Sequence, residues 1–363
     1  MKLLIHKPPK ITTTAIAEKA GVSPATVSRV VNQPEIVKIE TYQKIISAME
    51  ELGCQIQYKS DPNLYPKAVS PIDHLAAKTA LEPTQPMIHM QKGLIVINLP
   101  SLTNPFYGPI IKGIHTSVAR HGYHLLISEG HLNYNTIDSF IQLLLDNHVR
   151  GLITFNHIEA SVFEKLAKVT TVVSCCEYNR HVDAPFVTID DVAAARNAVE
   201  HLLAQGRQRI ALINGPTQYK YSRDRLEGYL QALKNAGITP DNNYIVHLPD
   251  IDSDLAISAA TALLSLDNPP DAFFAISDVY AYAVLRSCHL LGKKIPEDVA
   301  VVGFDNLEQS KITIPSLSSV NQPRTQLGFM AAEILAETIM NPDIPVKKIV
   351  LDTELIVRES SVK

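Results

Sequence analysis

A chain of 363 residues, 46% hydrophobic and 19% charged, fits a small head plus a body of one or two α/β domains. Its net charge of −4 excludes a generally basic nucleic-acid coat, but the charge is uneven: residues 1–60 carry +3 and the remainder −7, which favours DNA contact at the N-terminal end. No run approaches the ~20 apolar residues of a membrane span, no apolar signal core follows the N-terminal lysines, and Cys54, Cys175, Cys176 and Cys288 show no ligand spacing; the expectation is a reduced, cytoplasmic protein with no membrane, metal or cofactor.

Residues 1–10 read as an arm. Thr12 is placed to cap a first helix that runs to Ala20. Gly21 then supplies an open turn, Ser23 caps a second helix, and Pro24 stands in its first turn, where no amide hydrogen is needed. The second helix runs to Val31, and Asn32-Gln33-Pro34 ends it. Ala17, Ala20, Val22, Val27 and Val30 can pack the two helices crosswise. A third helix is expected from Ile39 to Leu52, with Tyr42, Ile45, Ile46, Met49 and Leu52 on one face and Gly53 after its end. Two short helices around such a turn are the helix-turn-helix unit, whose second helix enters the DNA major groove. Pro24, Ala25 and Arg29 are the candidates for base edges, arginine being the commonest reader of guanine. Thr12, Thr26, Ser28 and Asn32 are the candidates for phosphate contacts.

These residues carry a family resemblance. Ile11 to Asn32, with Ala20-Gly21-Val22-Ser23 and Ala25-Thr26-Val27-Ser28-Arg29-Val30 intact, resembles the head of the LacI/GalR family of transcriptional repressors. Val37, Thr41 and Leu52-Gly53 match its third-helix region, whereas Ala15 stands where an aspartate is usual. The resemblance implies a head over 1–53, homodimers on a double-stranded palindromic DNA operator, and a core that binds a small-molecule effector. It also implies a hinge helix directly after the head. Here Cys54 replaces the usual tyrosine, and Gln55-Ile56-Gln57-Tyr58 does not resemble the hinge. Residues 54–92 are an atypical linker rich in proline, with one short helical pattern from Ile72 to Leu81 that could be a displaced hinge helix.

From Leu94 the pattern alternates strand and helix: Leu94–Leu99, Pro105–Arg120, Tyr123–Ser128, Thr136–Asn147, Gly151–Phe155, Ala160–Leu166, Thr171–Ser174. It restarts after Asp190 with Ala193–Gln205, Arg209–Ile213, Arg223–Ala236, Tyr244–His247, Leu255–Leu266, Ala272–Ala275, Val279–Leu291 and Val299–Gly303. A last helix, Arg324–Met340, and strands to Val357 follow. The alternation predicts a small all-α head plus an α/β core of two doubly wound parallel-sheet lobes. Asn104-Pro105-Phe106, Val187-Thr188-Ile189-Asp190, Arg225 with Gly228-Tyr229, Ser277-Asp278, Val302-Gly303-Phe304-Asp305 and Gln322-Pro323 resemble the family core, which has the periplasmic-binding-protein fold. The resemblance implies a core over 93–357, with an N-terminal lobe of 93–190 plus 321–342 and a C-terminal lobe of 191–318 plus 343–357.

Ligands of such cores lie at the C-terminal ends of strands, at the lobe junction. Arg225 and Asp305 match family positions that contact a ligand hydroxyl or ring nitrogen. Phe106 and Tyr107 offer aromatic faces to a ring. Ser277, Asn156 and Glu177 complete the candidate effector site, with Glu129 and Asp190 as weaker candidates and Asp278 as structural. Cys176-Glu177-Tyr178-Asn179, Ser277-Asp278 and Glu354–Arg358 resemble nucleoside-responsive members of the family, so a nucleoside stands beside a sugar as the effector. The expected function is a ligand-responsive transcriptional regulator. The alternatives are a ligand sensor of the same fold with weakened DNA binding, because of the linker, or a solute-binding protein, which predicts a signal peptide and no reader helix. An enzyme is not expected, since neither a G-x-G-x-x-G nor a P-loop is present.

Overall fold

The computed structural model describes residues 12–32, 41, 44–45, 47–49, 52 and 93–362, in two units that divide between residues 89 and 90. The linker 54–92 and its helical pattern at 72–81 lie outside the described residues.

In the head, α1 spans Thr13–Ala20 and α2 spans Pro24–Asn32. Local hydrogen bonds set both ends of the turn. Thr12 Oγ1 accepts the Ala15 amide at 3.3 Å. Gly21 takes φ +65°, and the Val22 amide then closes on the Ala17 carbonyl at 3.0 Å. Ser23 Oγ accepts the Thr26 amide at 3.1 Å and caps α2. Ile16, Ala17, Val27 and Val30 are buried between the helices, joined by Ile45, Ala48 and Met49. The third-helix segment is helical at 41, 44–45 and 47–49, while Tyr42 and Ile46 lie outside the described residues.

The second unit contains two six-stranded sheets. Their elements are β1 Leu94–Leu99, α3 Tyr107–Arg120, β2 His124–Glu129, α4 Ile137–Asp146, β3 Val149–Thr154, α5 Ala160–Ala167, β4 Thr171–Cys175 and β5 Phe186–Ile189. The chain continues with α6 Asp191–Ala204, β6 Ile210–Asn214, α7 Lys220–Asn235, β7 Ile245–His247, α8 Ser253–Leu264, β8 Ala272–Ala275, α9 Asp278–Leu290 and β9 Ala300–Asp305. It ends with β10 Ser318–Asn321, α10 Arg324–Met340, β11 Lys348–Leu351 and β12 Glu354–Ile356. The N-terminal lobe has strand order β11-β5-β4-β3-β1-β2, all parallel. The C-terminal lobe has the order β12-β10-β9-β8-β6-β7, parallel except for β12. Near-continuous apolar runs such as Ile95–Ile97 and Phe273–Ala275 are buried, as strands covered on both faces require.

The expected lobe boundaries need correction. Residues 343–357 do not all return to the C-terminal lobe. β11 pairs with β5, Ile349 opposite Val187, and only β12 reaches the other sheet, with Leu355 opposite Val320. The chain leaving α10 meets the open edge of β5, whose backbone groups need a partner. β10 belongs to the C-terminal sheet, so the N-terminal lobe resumes at α10 rather than at 321. The lobes are therefore 93–190 plus 324–351, and 191–321 plus 354–362.

α10 lies across α3 with backbones in contact. A Cβ on Gly113 would stand 2.0 Å from the Thr325 carbonyl, and one on Gly328 would stand 2.1 Å from the Ile110 carbonyl. This crossing seats Phe106, Tyr107 and the following helix at the lobe junction.

Candidate functional site

Parallel strands of both sheets direct their C-terminal ends toward one cleft of about 560 Å³, counted with its open mouth. From the N-terminal lobe it is lined by Asn104, Phe106 and Tyr107 at the start of α3, Phe155 after β3, Cys176 and Glu177 after β4, and Ile189 at the end of β5. The C-terminal lobe contributes Asp191, Tyr221, Arg225, Ile251, Ile276, Ser277 and Asp305, and Gln322 joins them from the crossover between the lobes. Of the effector candidates, Phe106, Tyr107, Glu177, Arg225, Ser277 and Asp305 come together here. Asn156 does not line the cleft. Its amide donates to Asn98 Oδ1 at 2.5 Å and to the Gly130 carbonyl at 2.9 Å, tying together the ends of β1 and β3 and the loop after β2. Glu129 accepts the Leu102 amide, and Asp190 caps α6 through the Ala193 amide.

Arg225, in the second turn of α7, is 6% exposed. Its Nε and Nη2 both lie 2.9 Å from Asp191 Oδ1, its Nη1 donates to the Ile276 carbonyl, and its Cζ sits 3.5 Å from the centre of the Phe304 ring. Lys220 Nζ reaches the other Asp191 oxygen at 2.7 Å and Asp224 at 3.1 Å. Burial alone would raise Asp191, but the Arg225 and Lys220 cations outweigh it and hold the carboxyl below the usual range. These contacts fix the position of the guanidinium, which lines the cleft.

Asp305 ends β9 at φ +108°, in the left-handed half of backbone space that a non-glycine residue adopts at a cost of about 1–3 kcal/mol. Its oxygens accept from Ser277 Oγ at 3.0 Å and Gln322 Nε2 at 2.8 Å, and Arg225 Nη1 lies 4.0 Å away. Burial pushes its pKa up to about 6 against these favourable contacts. A carboxylate with two bonds used retains acceptor capacity for a ligand hydroxyl or N–H. Asp278 is buried behind it and accepts from the Leu307 amide, Ser310 and Ser319, a structural role.

Glu177 joins the lobes. It follows β4 of the N-terminal lobe and accepts the Lys220 amide at 2.8 Å and the Tyr221 amide at 3.0 Å, at the N-terminus of α7 in the C-terminal lobe. Burial nevertheless raises its pKa to about 7. Arg180 to Asp224 at 2.7 Å and His131 to the Tyr219 hydroxyl at 3.2 Å also cross the junction. Aromatic rings wall the interior: Phe106 and Tyr107 meet edge to face at 5.2 Å, and Tyr107 and Phe155 at 5.4 Å. Ring faces with convergent carboxylate, amide and guanidinium groups suit a hydroxylated ring compound.

Sequence reading missed Asp191 and Lys220. It started α7 at Arg223, one turn late, and so left Lys220 outside the helix. The i,i+4 pair Lys220–Asp224 was the available signal. Gln322 and Asn104 stood within the family markers, yet their side chains had no assigned role.

In the head, Pro24, Ala25, Ser28 and Arg29 are exposed on α2. Thr26 is half-buried, and its hydroxyl bonds Ser23 Oγ at 2.7 Å. Thr12 is exposed as the α1 cap, and Asn32 is the last residue of α2.

Comparison with known proteins adds to this geometry. Residues 12–55 match the family described as bacterial regulatory proteins, lacI family, and residues 199–361 match a periplasmic binding protein-like domain. The chain is 31% identical over 350 residues to the HTH-type transcriptional repressor CytR of Escherichia coli, spanning 95% of each chain. It is 29% identical over 347 residues to the ribose operon repressor of Halalkalibacterium halodurans, spanning 95% of this chain and 96% of that one. Among solved structures it is similar to a complex of the transcriptional regulator CelR with cellobiose, with TM-score 0.68 and 27% identity, covering 97% of this chain and 100% of that one. An uncharacterized protein from Actinobacillus succinogenes matches with TM-score 0.66 and 34% identity, covering 74% of this chain and 99% of that one.

Proposed function

The chain belongs to the lacI family of bacterial regulatory proteins and is a ligand-responsive transcriptional regulator, and we propose that it is a cytoplasmic repressor that binds a palindromic operator as a homodimer and holds a sugar or nucleoside effector in the inter-lobe cleft. The observation that carries the effector reading is the meeting of Asp305, Arg225 and the Phe106–Tyr107 rings at strand ends of two lobes. Ligand bound there favours one lobe arrangement and so changes DNA affinity by the difference in its affinity for the two. The exposed face of α2 supports the operator reading, with Arg29 and Ala25 on base edges and Ser28 on phosphate.

Exposed apolar side chains on both lobes support pairing of cores. Leu126 and Ile127 lie on the edge strand β2, and Ile312 and Ile314 are 78% and 98% exposed beside β10. Such groups match the core of a subunit interface. Among the described residues no helix is long and apolar enough to cross a membrane.

The testing experiment selects DNA from a random pool with the full chain. A recovered palindrome supports an operator-binding dimer. Recovery of unrelated sequences favours the second reading, a ligand sensor that grips DNA poorly, which the atypical residues 54–92 motivate.

A further inference from the structure

Cys175 and Cys176 are adjacent in sequence and take no part in the hydrogen bonding of the proposed site. Neighbouring side chains on a strand point to opposite faces, so strand cysteines in sequence do not normally meet. Here β4 ends at Cys175, and Cys176 takes φ +67°. The Glu177 amide donates to the Cys175 carbonyl at 2.8 Å, closing a three-residue turn around Cys176. That turn brings the two Sγ atoms to 3.9 Å. A left-handed γ-type turn at a non-glycine residue is a rare, strained conformation that clusters at functional sites. Cys175 is fully buried, while Cys176 is half-buried and lines the cleft, so a solute in the cleft meets Cys176 before Cys175.

We propose that Cys175 and Cys176 are a modification site that a hydroperoxide converts to a vicinal disulfide, and that this ring releases the Glu177 bridge between the lobes. The Cys176 sulfur attacks the terminal peroxide oxygen, giving a sulfenic acid and releasing water from hydrogen peroxide or an alcohol from an organic hydroperoxide. The Cys175 sulfur then attacks that sulfur, forming the S–S bond and expelling water. Two hydrogens and two electrons leave the dithiol, and the peroxide is reduced. The sulfurs must approach by about 1.9 Å to reach bonding distance. The hydrogen bond with Cys175, burial and the Asp191 and Glu177 charges push the Cys176 thiol up, so the pair rests as a dithiol and reacts slowly.

The coupling to the lobes follows from the turn. The peptide bond fixes adjacent Cα atoms about 3.8 Å apart, short of the usual ~4.4–6.8 Å of a disulfide, so the ring is strained, and closing the 3.9 Å between the sulfurs turns the backbone at Cys176 out of its γ-type turn. The rearranged backbone carries Glu177, whose carboxylate holds the Lys220 and Tyr221 amides. The same strain makes the ring easily reduced, as a reversible device requires.

The test uses the full chain with hydrogen peroxide and needs no effector, so it is independent of the proposed effector site. Peptide mapping reads the 175–176 segment, and hydrogen exchange reads the amides of Lys220 and Tyr221. The expected result is loss of two hydrogens from that segment with faster exchange at both amides, each reversed by dithiothreitol. The variant Cys175→Ala is expected to lose both effects. An oxygen adduct on Cys176 without a crosslink, no reaction, or a crosslink with unchanged exchange overturns the proposal. The wild-type outcome decides even where the variant does not fold.

Discussion

Arg225 places two donors on a single oxygen of Asp191, at 2.9 Å each, while Lys220 holds the other oxygen at 2.7 Å. The arginine that matches a family ligand position is therefore also part of a buried ion cluster, and its removal has two consequences. Arg225→Ala is expected to abolish the effector response and, by leaving Asp191 with one cation, to destabilise the core by about 3 kcal/mol. Urea unfolding measures the second effect and ligand-induced thermal shift the first. An unchanged effector affinity in this variant removes Arg225 from the site.

Glu177 gives a pH signature. Its folded pKa is about 7, above the usual 4.5, so the folded state takes up the proton preferentially between those values. The group's contribution is fully present below pH 4.5 and is lost as pH rises through 7. The melting temperature of the wild type relative to Glu177→Gln therefore falls as pH increases from 4.5 to 8. A pH-independent difference shows that Glu177 keeps an ordinary pKa.

Arg29 is exposed on α2, and its truncation leaves the buried residues Val27 and Val30 in place. Arg29→Ala is expected to weaken operator binding by about 1–3 kcal/mol and relax sequence preference, with effector binding intact. Anisotropy titrations on the selected operator and on scrambled DNA measure this. Equal loss on both sequences makes Arg29 a phosphate contact.

At the α3–α10 crossing the two helix backbones leave no room for a side chain at Gly113 or Gly328. Gly113→Ala forces the helices apart, since its Cβ would stand 2.0 Å from the Thr325 carbonyl. A loss of at least 1–3 kcal/mol is expected in denaturant unfolding. Gly122→Ala, with nothing within 4 Å but φ +76°, pays only the backbone cost. A smaller loss in Gly113→Ala than in Gly122→Ala contradicts the packing account.

Ile312 and Ile314 provide the test of core pairing. Asp at both positions is expected to shift sedimentation from dimer toward monomer without changing the melting temperature of the isolated subunit. Neither side chain is buried in the chain itself, so folding does not depend on them.

Local chemistry was legible in the sequence. Thr12, Gly21 and Ser23 act within a few residues, and the structure gives each the cap or turn its type predicts. The βα alternation likewise gave two parallel-sheet lobes. Long-range pairing was not legible. β11 joins β5 across about 160 residues, and neither strand's own pattern distinguishes the two sheets. Asp191 and Lys220 escaped for the same reason: their meaning lies in partners brought together by the packing of α6 on α7. Asn156 shows the converse, because a polar residue at a strand end can bind its own scaffold as readily as a ligand.

The central claim is that the cleft controls the head. Its most direct test is operator affinity of the full chain, by anisotropy, with and without each of D-ribose, cellobiose and the four ribonucleosides or another ligand found by thermal shift. The account predicts that a ligand which raises the melting temperature also changes operator affinity, and that Arg225→Ala binds operator but no longer responds. A stabilising ligand that leaves operator affinity unchanged, or an Arg225→Ala chain that responds like the wild type, contradicts it.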